Sequence, residues 1–178
     1  MRYLGIALMA ASLTGAGFLA AGRLRERFEI LLLFKKLAYA LKGEILYSNS
    51  TLSEALFEVG RRFLEGRSGH LKEPGLFFLR VKERMEKERG TPFFVLWKEE
   101  AGKFPADFPM EKADMQALCG LGETLGYADR DMQERTLLLY LEQLEDSMAY
   151  LKKEMDARMK LLKSLGAAAG LFLAVIML

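Results

Sequence analysis

From Tyr3 to Gly22 the chain reads YLGIALMAASLTGAGFLAAG and carries no charge; as a helix it measures about 30 Å, the depth of a hydrocarbon core. The other end, SLGAAAGLFLAVIML from Ser164 to Leu178, is uncharged too. At about 22 Å it is short, so it spans only if Leu161 and Leu162 enter the bilayer while Lys163 snorkels back; otherwise it lies at the interface. Between these ends the apolar positions recur with helical period. RFEILLLFKKLAYALKGEILY, with Phe28, Leu31, Leu32, Leu41 and Ile45, continues the first helix. Thr51 and Glu54 then have the spacing of a capping box, and Leu52, Leu56, Val59 and Phe63 share one face of the helix that follows. Gly66 to Gly75 is predicted to be a loop, and a third helix, FFLRVKERMEKERG, to end at Gly90. Thr91 and Pro92 have the form of an N-cap and first residue for a short aromatic helix with Phe93, Phe94 and Trp97. Pro105 and Pro109 break the chain before a helix carrying Leu118, Leu121 and Leu125.

The last helix has the strongest pattern. Leu137, Leu141, Leu144, Met148, Leu151 and Met155 alternate steps of four and three, a heptad seam that either packs on the other helices of a bundle or pairs with a second copy. No stretch sustains a period of two, so no strands are predicted. The pattern therefore predicts an all-α fold: an antiparallel helical bundle with a long C-terminal helix, flanked by N- and C-terminal transmembrane helices. The segments are 1–22 (membrane), 23–163 (bundle) and 164–178 (membrane). For the first segment a cleaved signal peptide is the rival, with Arg2 as its basic start; the length of the run and the basic residues directly after it favour an anchor.

Charge changes the picture by its placement. All charges but Arg2 lie between Arg23 and Lys163, with 26 Lys and Arg against 24 Asp and Glu. That balance leaves no polybasic tail for nucleic acid. Arg23, Arg25, Arg27, Lys35 and Lys36 follow the first span, and Lys152, Lys153, Arg158, Lys160 and Lys163 precede the last, so the positive-inside rule makes the middle cytoplasmic. Ala7, Ala11 and Gly15 on the first span, and Gly166 and Gly170 on the last, form small-residue faces on which other transmembrane helices can approach closely.

Candidate chemistry is sparse. Cys119 is the only cysteine and His70 the only histidine; the pattern makes one a small buried thiol and the other a solvated loop residue. No phosphate-binding loop, dinucleotide turn or metal-ligand spacing occurs, and Glu99 and Glu100 read as helix surface charges. This excludes the common enzyme classes and implies no cofactor and no small-molecule substrate. Arg61, Arg62, Arg67 and Lys72 form an exposed basic set beside a loop, suited either to solvation or to docking a partner.

What remains is LGETLGYADRDMQ, Leu121 to Gln133. Gly122 and Gly126, four apart, allow a close helix contact, Gly126 also suits a left-handed C-cap, and Asp129 can cap the long helix. Leu125, Gly126, Asp129, Arg130 and Gln133 resemble the junction found in the stage III sporulation protein AB family. GEILYSNSTLSEAL is similar to another of its motifs, through Glu44, Ile45, Tyr47, Leu52, Glu54, Ala55 and Leu56, and KSLGAAAGL is similar to its ending. Two departures occur: Ala128 stands where the family has a hydroxyl residue, and Ser50 and Thr51 stand where it has Thr and Pro. The resemblance implies a helical bundle similar to the cytoplasmic domain of the F component of type II secretion and type IV pilus machines. It further implies a place in the mother-cell membrane around the developing spore, within a multiprotein channel, and a secretion-ATPase-like cytoplasmic partner. Two functions compete: a non-enzymatic scaffold subunit anchored twice, and a stand-alone membrane sensor relaying through its long helix.

Overall fold

The computed structural model describes the backbone of residues 2–48, 50–127 and 129–177, and the side chains of 22–48, 50–127, 129–161 and 164. Its helices are α1 (Arg2–Leu46), α2 (Leu52–Leu64), α3 (Glu73–Lys87), α4 (Phe93–Ala101), α5 (Lys112–Leu125) and α6 (Arg130–Met177), with a 3-10 turn at Gly69–Lys72. Among the described residues there is no strand, as the absence of two-residue periodicity predicts. Nor is any helix there long and apolar enough to cross a membrane. Apart from Gly22 and Ser164, both predicted spans lie outside the residues whose side chains are described, as do Ala7, Ala11, Gly15, Gly166 and Gly170.

The chain forms two compact units, Glu29–Met148 and, separately, Met1–Phe28 with Ala149–Leu178. In the first, α1 and α6 run antiparallel, tied by Lys35 to Glu145 at 2.8 Å and by Lys42 to Glu134 at 2.9 Å. Carboxylate hydrogen bonds raise the pKa of both lysines. The core is built from Leu31, Phe34, Leu37 and Leu41 of α1, Leu56 and Val59 of α2, Phe77 and Val81 of α3, Trp97 of α4, Leu118 and Leu125 of α5, and Leu137 of α6. Leu141 and Leu144 are buried as well, so within this unit the heptad seam faces the bundle. In the second unit, Leu151 and Arg27 are buried, while Arg158 pairs with Glu154 on α6.

Three local predictions need correction, the first being the end of α3, which stops at Lys87 rather than at Gly90. The loop after α2 is shorter than Gly66–Gly75, because α3 begins at Glu73 with Pro74 in its first turn, where a fixed φ suits a helix start. Gly75 lies inside α3, where α2 crosses: a Cβ on either Gly60 or Gly75 would stand 3.0 Å from the other's carbonyl oxygen. At α4, Pro92 is itself the N-cap, with extended ψ of 138°, and the helix begins at Phe93.

Candidate functional site: the α5–α6 junction and its surroundings

The junction is held by side-chain hydrogen bonds to backbone. An α-helix leaves its last carbonyls without partners. Here Gln133, buried in α6, donates from Nε2 to the carbonyls of Leu125 at 2.9 Å and Tyr127 at 2.7 Å. Asp129 Oδ1 accepts the Asp131 amide at 3.1 Å, which caps α6 as its position predicts.

Both glycines of the motif lie against α4. A Cβ on Gly122 would stand 2.2 Å from Trp97 Cδ1, and one on Gly126 would stand 2.7 Å from Phe93 Cβ. The predicted close helix contact is therefore present. The left-handed C-cap is not: Gly126 has φ −73° and ψ −7°, an ordinary right-handed conformation. Space, rather than backbone freedom, requires glycine there. Trp97 is the hub of this region, donating from Nε1 to Leu118 O at 2.7 Å and packing edge-on to Phe77 with ring centres 4.6 Å apart.

At the same end of the bundle lies the turn between α1 and α2, brought there by the Lys42–Glu134 pair. Thr51 and Glu54 form the predicted capping box, Oγ1 accepting the Glu54 amide at 3.3 Å and Oε2 accepting the Thr51 amide at 2.8 Å. That backbone bond holds the Glu54 carboxyl below the usual carboxylate range. Leu52 is half-buried, and Glu44 accepts from Arg62 at 3.0 Å. Tyr47 and Tyr127 are exposed, at 85% and 60%.

The basic set does not form one unpaired surface. Arg61 pairs with Glu58 at 3.0 Å and Arg62 with Glu44, while Arg67 donates to the Phe63 carbonyl at 2.6 Å and covers that ring. Lys72 is exposed at the end of the 3-10 turn. His70 is less solvated than expected: its Nε2 lies 3.4 Å from Asp107 Oδ2 and its ring meets Phe108 edge-on. Cys119 is half-buried rather than buried, and burial pushes its thiol pKa up.

Glu100 is the residue that sequence reasoning missed. It is 1% exposed, and Arg80 Nε at 3.2 Å, Arg84 Nη1 at 3.4 Å and Lys103 surround its carboxylate. Neighbouring Glu99, on the outer side, pairs with Arg84 at 2.7 Å. One signal was available: Glu100 follows Trp97 by three residues, which puts both on one helix face. Among the described residues no group of three or more His, Cys, Asp or Glu side chains could hold a metal ion. The arrangement is thus a rigid frame with exposed tyrosines at one end.

A family model described as Stage III sporulation protein AB matches residues 2–178. Stage III sporulation protein AB of Bacillus subtilis (strain 168) is 25% identical over 178 residues, 100% of this chain and 99% of that protein. A solved structure of Stage III sporulation protein AB superposes with a TM-score of 0.62 at 21% identity, covering 74% of this chain and 97% of the other, a likeness of fold.

Proposed function

The chain belongs to the stage III sporulation protein AB family, and from that premise we propose that it is a non-enzymatic scaffold subunit of a secretion-like channel required for spore development. Family membership gives it a role in sporulation. In this reading the segments 3–22 and 164–178 anchor it in the mother-cell membrane around the forespore, the bundle lies in the cytoplasm, and other channel subunits pack on the anchors. The bundle docks a secretion-ATPase-like protein.

The observation that supports docking is the junction end of the bundle. Its interior is fixed by Gln133 and by the glycine contacts, while Tyr47 and Tyr127 stand outside, amphipathic side chains of the kind that anchor interfaces. Arg61, Arg62, Arg67 and Lys72 are a second candidate contact, where an acidic partner would compete with Glu58 and Glu44 for Arg61 and Arg62 and steer association. The test is retention of the ATPase-like protein by the full-length chain at low salt. Tyr47→Ala with Tyr127→Ala should abolish retention, and reversal of Arg61, Arg62 and Arg67 to Glu should weaken it with helicity unchanged. No retention by the unaltered chain at any salt concentration would overturn the scaffold reading in favour of the sensor.

A further inference from the structure

The outward face of α5 and α6 carries a charge pattern that the described part of the chain leaves unused. A cleft of about 760 Å³ runs between the two helices; small or uncharged side chains line its middle, among them Ala113, Ala117 and Gly120 of α5 and Leu139 and Gln143 of α6, and Arg135 and Asp146 of α6 line it as well. Leu139 is 57% exposed, and at Gly120 nothing lies within 4 Å of where a Cβ would stand. The bond from Gln133 to the Leu125 carbonyl sets the register of the two antiparallel helices. Two residues further along each, Glu123 stands level with Arg135; three turns beyond, the same register sets Lys112 level with Asp146.

All four of these side chains are exposed, and none makes an ion pair or hydrogen bond among the described residues. The face therefore has four charged corners of alternating sign, Lys112 and Glu123 on α5 and Asp146 and Arg135 on α6, around a centre in which Glu142 is the one exposed charge of the α6 row. Glu142 lies on the exposed side of α6 between its two corners. A partner of uniform charge would be repelled at two of the four corners. The pattern is instead its own complement, since a two-fold axis lying in the face brings each positive corner to a negative one.

We propose that this face binds a second copy of the chain. In the dimer α5 and α6 of one copy cover those of the other across a two-fold axis parallel to the helices. Arg135 meets Glu123 of the other copy, and Lys112 meets Asp146 of the other copy. The uncharged cleft residues fill the centre, where apolar surface leaves water. This goes beyond the scaffold reading and does not depend on which protein docks at the junction end.

The test uses two full-length copies carrying different tags, co-expressed and extracted together from the membrane, with capture of one by the other as the readout. Unaltered copies should capture each other. Arg135→Glu in both copies, or Glu123→Lys in both, sets like charges against each other at two corners and should lower capture on the order of tenfold. Arg135→Glu in one copy with Glu123→Lys in the other restores both pairs between copies. Capture should then return to within about twofold of the unaltered level. An effect confined within one chain cannot produce that recovery, because each copy alone still carries a like-charged pair. Recovery only with Arg135→Glu against Asp146→Arg would keep the second copy as occupant and turn the axis across the helices. The proposal falls if unaltered copies do not capture each other, if the charge changes leave capture unaltered, or if neither mixed pair restores it. Loss of sporulation in Leu139→Arg without any self-capture would assign the face to a different protein and overturn the proposal.

Discussion

Gly122 lies directly against the indole of Trp97, with a Cβ at residue 122 only 2.2 Å from Cδ1 and 2.4 Å from Cγ. The ring has no simple retreat, since its Nε1 is bonded to the Leu118 carbonyl and Phe77 packs beside it. Gly122→Ala is therefore expected to destabilise the bundle by about 3 kcal/mol, the upper range for overpacking a core. Gly120→Ala, into open space on the same helix, should stabilise it by roughly 0.5–1 kcal/mol through helix propensity. Thermal unfolding of the two full-length variants, followed by circular dichroism, separates crowding from propensity.

Glu100 is buried among Arg80, Arg84 and Lys103, and Arg80 Nη2 is already buried without a partner. Removing the carboxylate leaves the guanidinium of Arg80 less compensated still. Glu100→Ala should cost about 2–4 kcal/mol, as when one member of a buried pair is lost. Glu99→Ala, whose partner Arg84 keeps Glu88, should leave unfolding unchanged within error. Denaturant titration of both variants is the measurement, and equal effects would remove the distinction between them.

The capping box supplies a pH dependence of known sign. The Thr51 amide holds the Glu54 carboxyl at a lower pKa than in the unfolded chain. Its stabilisation is therefore fully present above the ordinary carboxylate range and disappears as pH falls through the lower folded value. Unaltered chain should be more stable than Glu54→Gln at neutral pH, and the gap should close between about pH 5 and pH 3. Thr51→Ala should cost about 1 kcal/mol, typical of a lost N-cap.

Topology tests the proposed anchors. A reporter joined after Leu178 is expected to report the exterior, and one inserted at Ser68, exposed between α2 and the 3-10 turn, the cytoplasm. Reversed signals would overturn the orientation, and a cytoplasmic signal from the tail alone would make 164–178 an interfacial helix. Gly166 and Gly170 changed together to Leu should impair assembly with the chain still in the membrane, read as the loss of copurifying channel subunits.

Local rules reach as far as neighbours along the chain, and that limit separates what was legible in the sequence from what was not. Helical period and the 4–3 seam of α6 were enough for an all-α bundle, because each depends on residues three or four apart that any helix places on one face. The Thr51–Glu54 box and the Asp129 cap were legible for the same reason. Gly126 shows where local reasoning stops. Its sequence position fits a left-handed cap, but its conformation is ordinary and the demand for glycine comes from Phe93 on another helix. Glu100 read as a surface charge because Lys103, three residues on, is an ordinary local partner, while Arg80 and Arg84 come from α3 at separations that no periodicity connects. The four corners of the α5–α6 face likewise lie far apart along the chain, and only the antiparallel register fixed by Gln133 sets them level. Tertiary packing decided these positions because burial and charge pairing depend on which helix lies opposite, a distance in space that the order of residues does not contain.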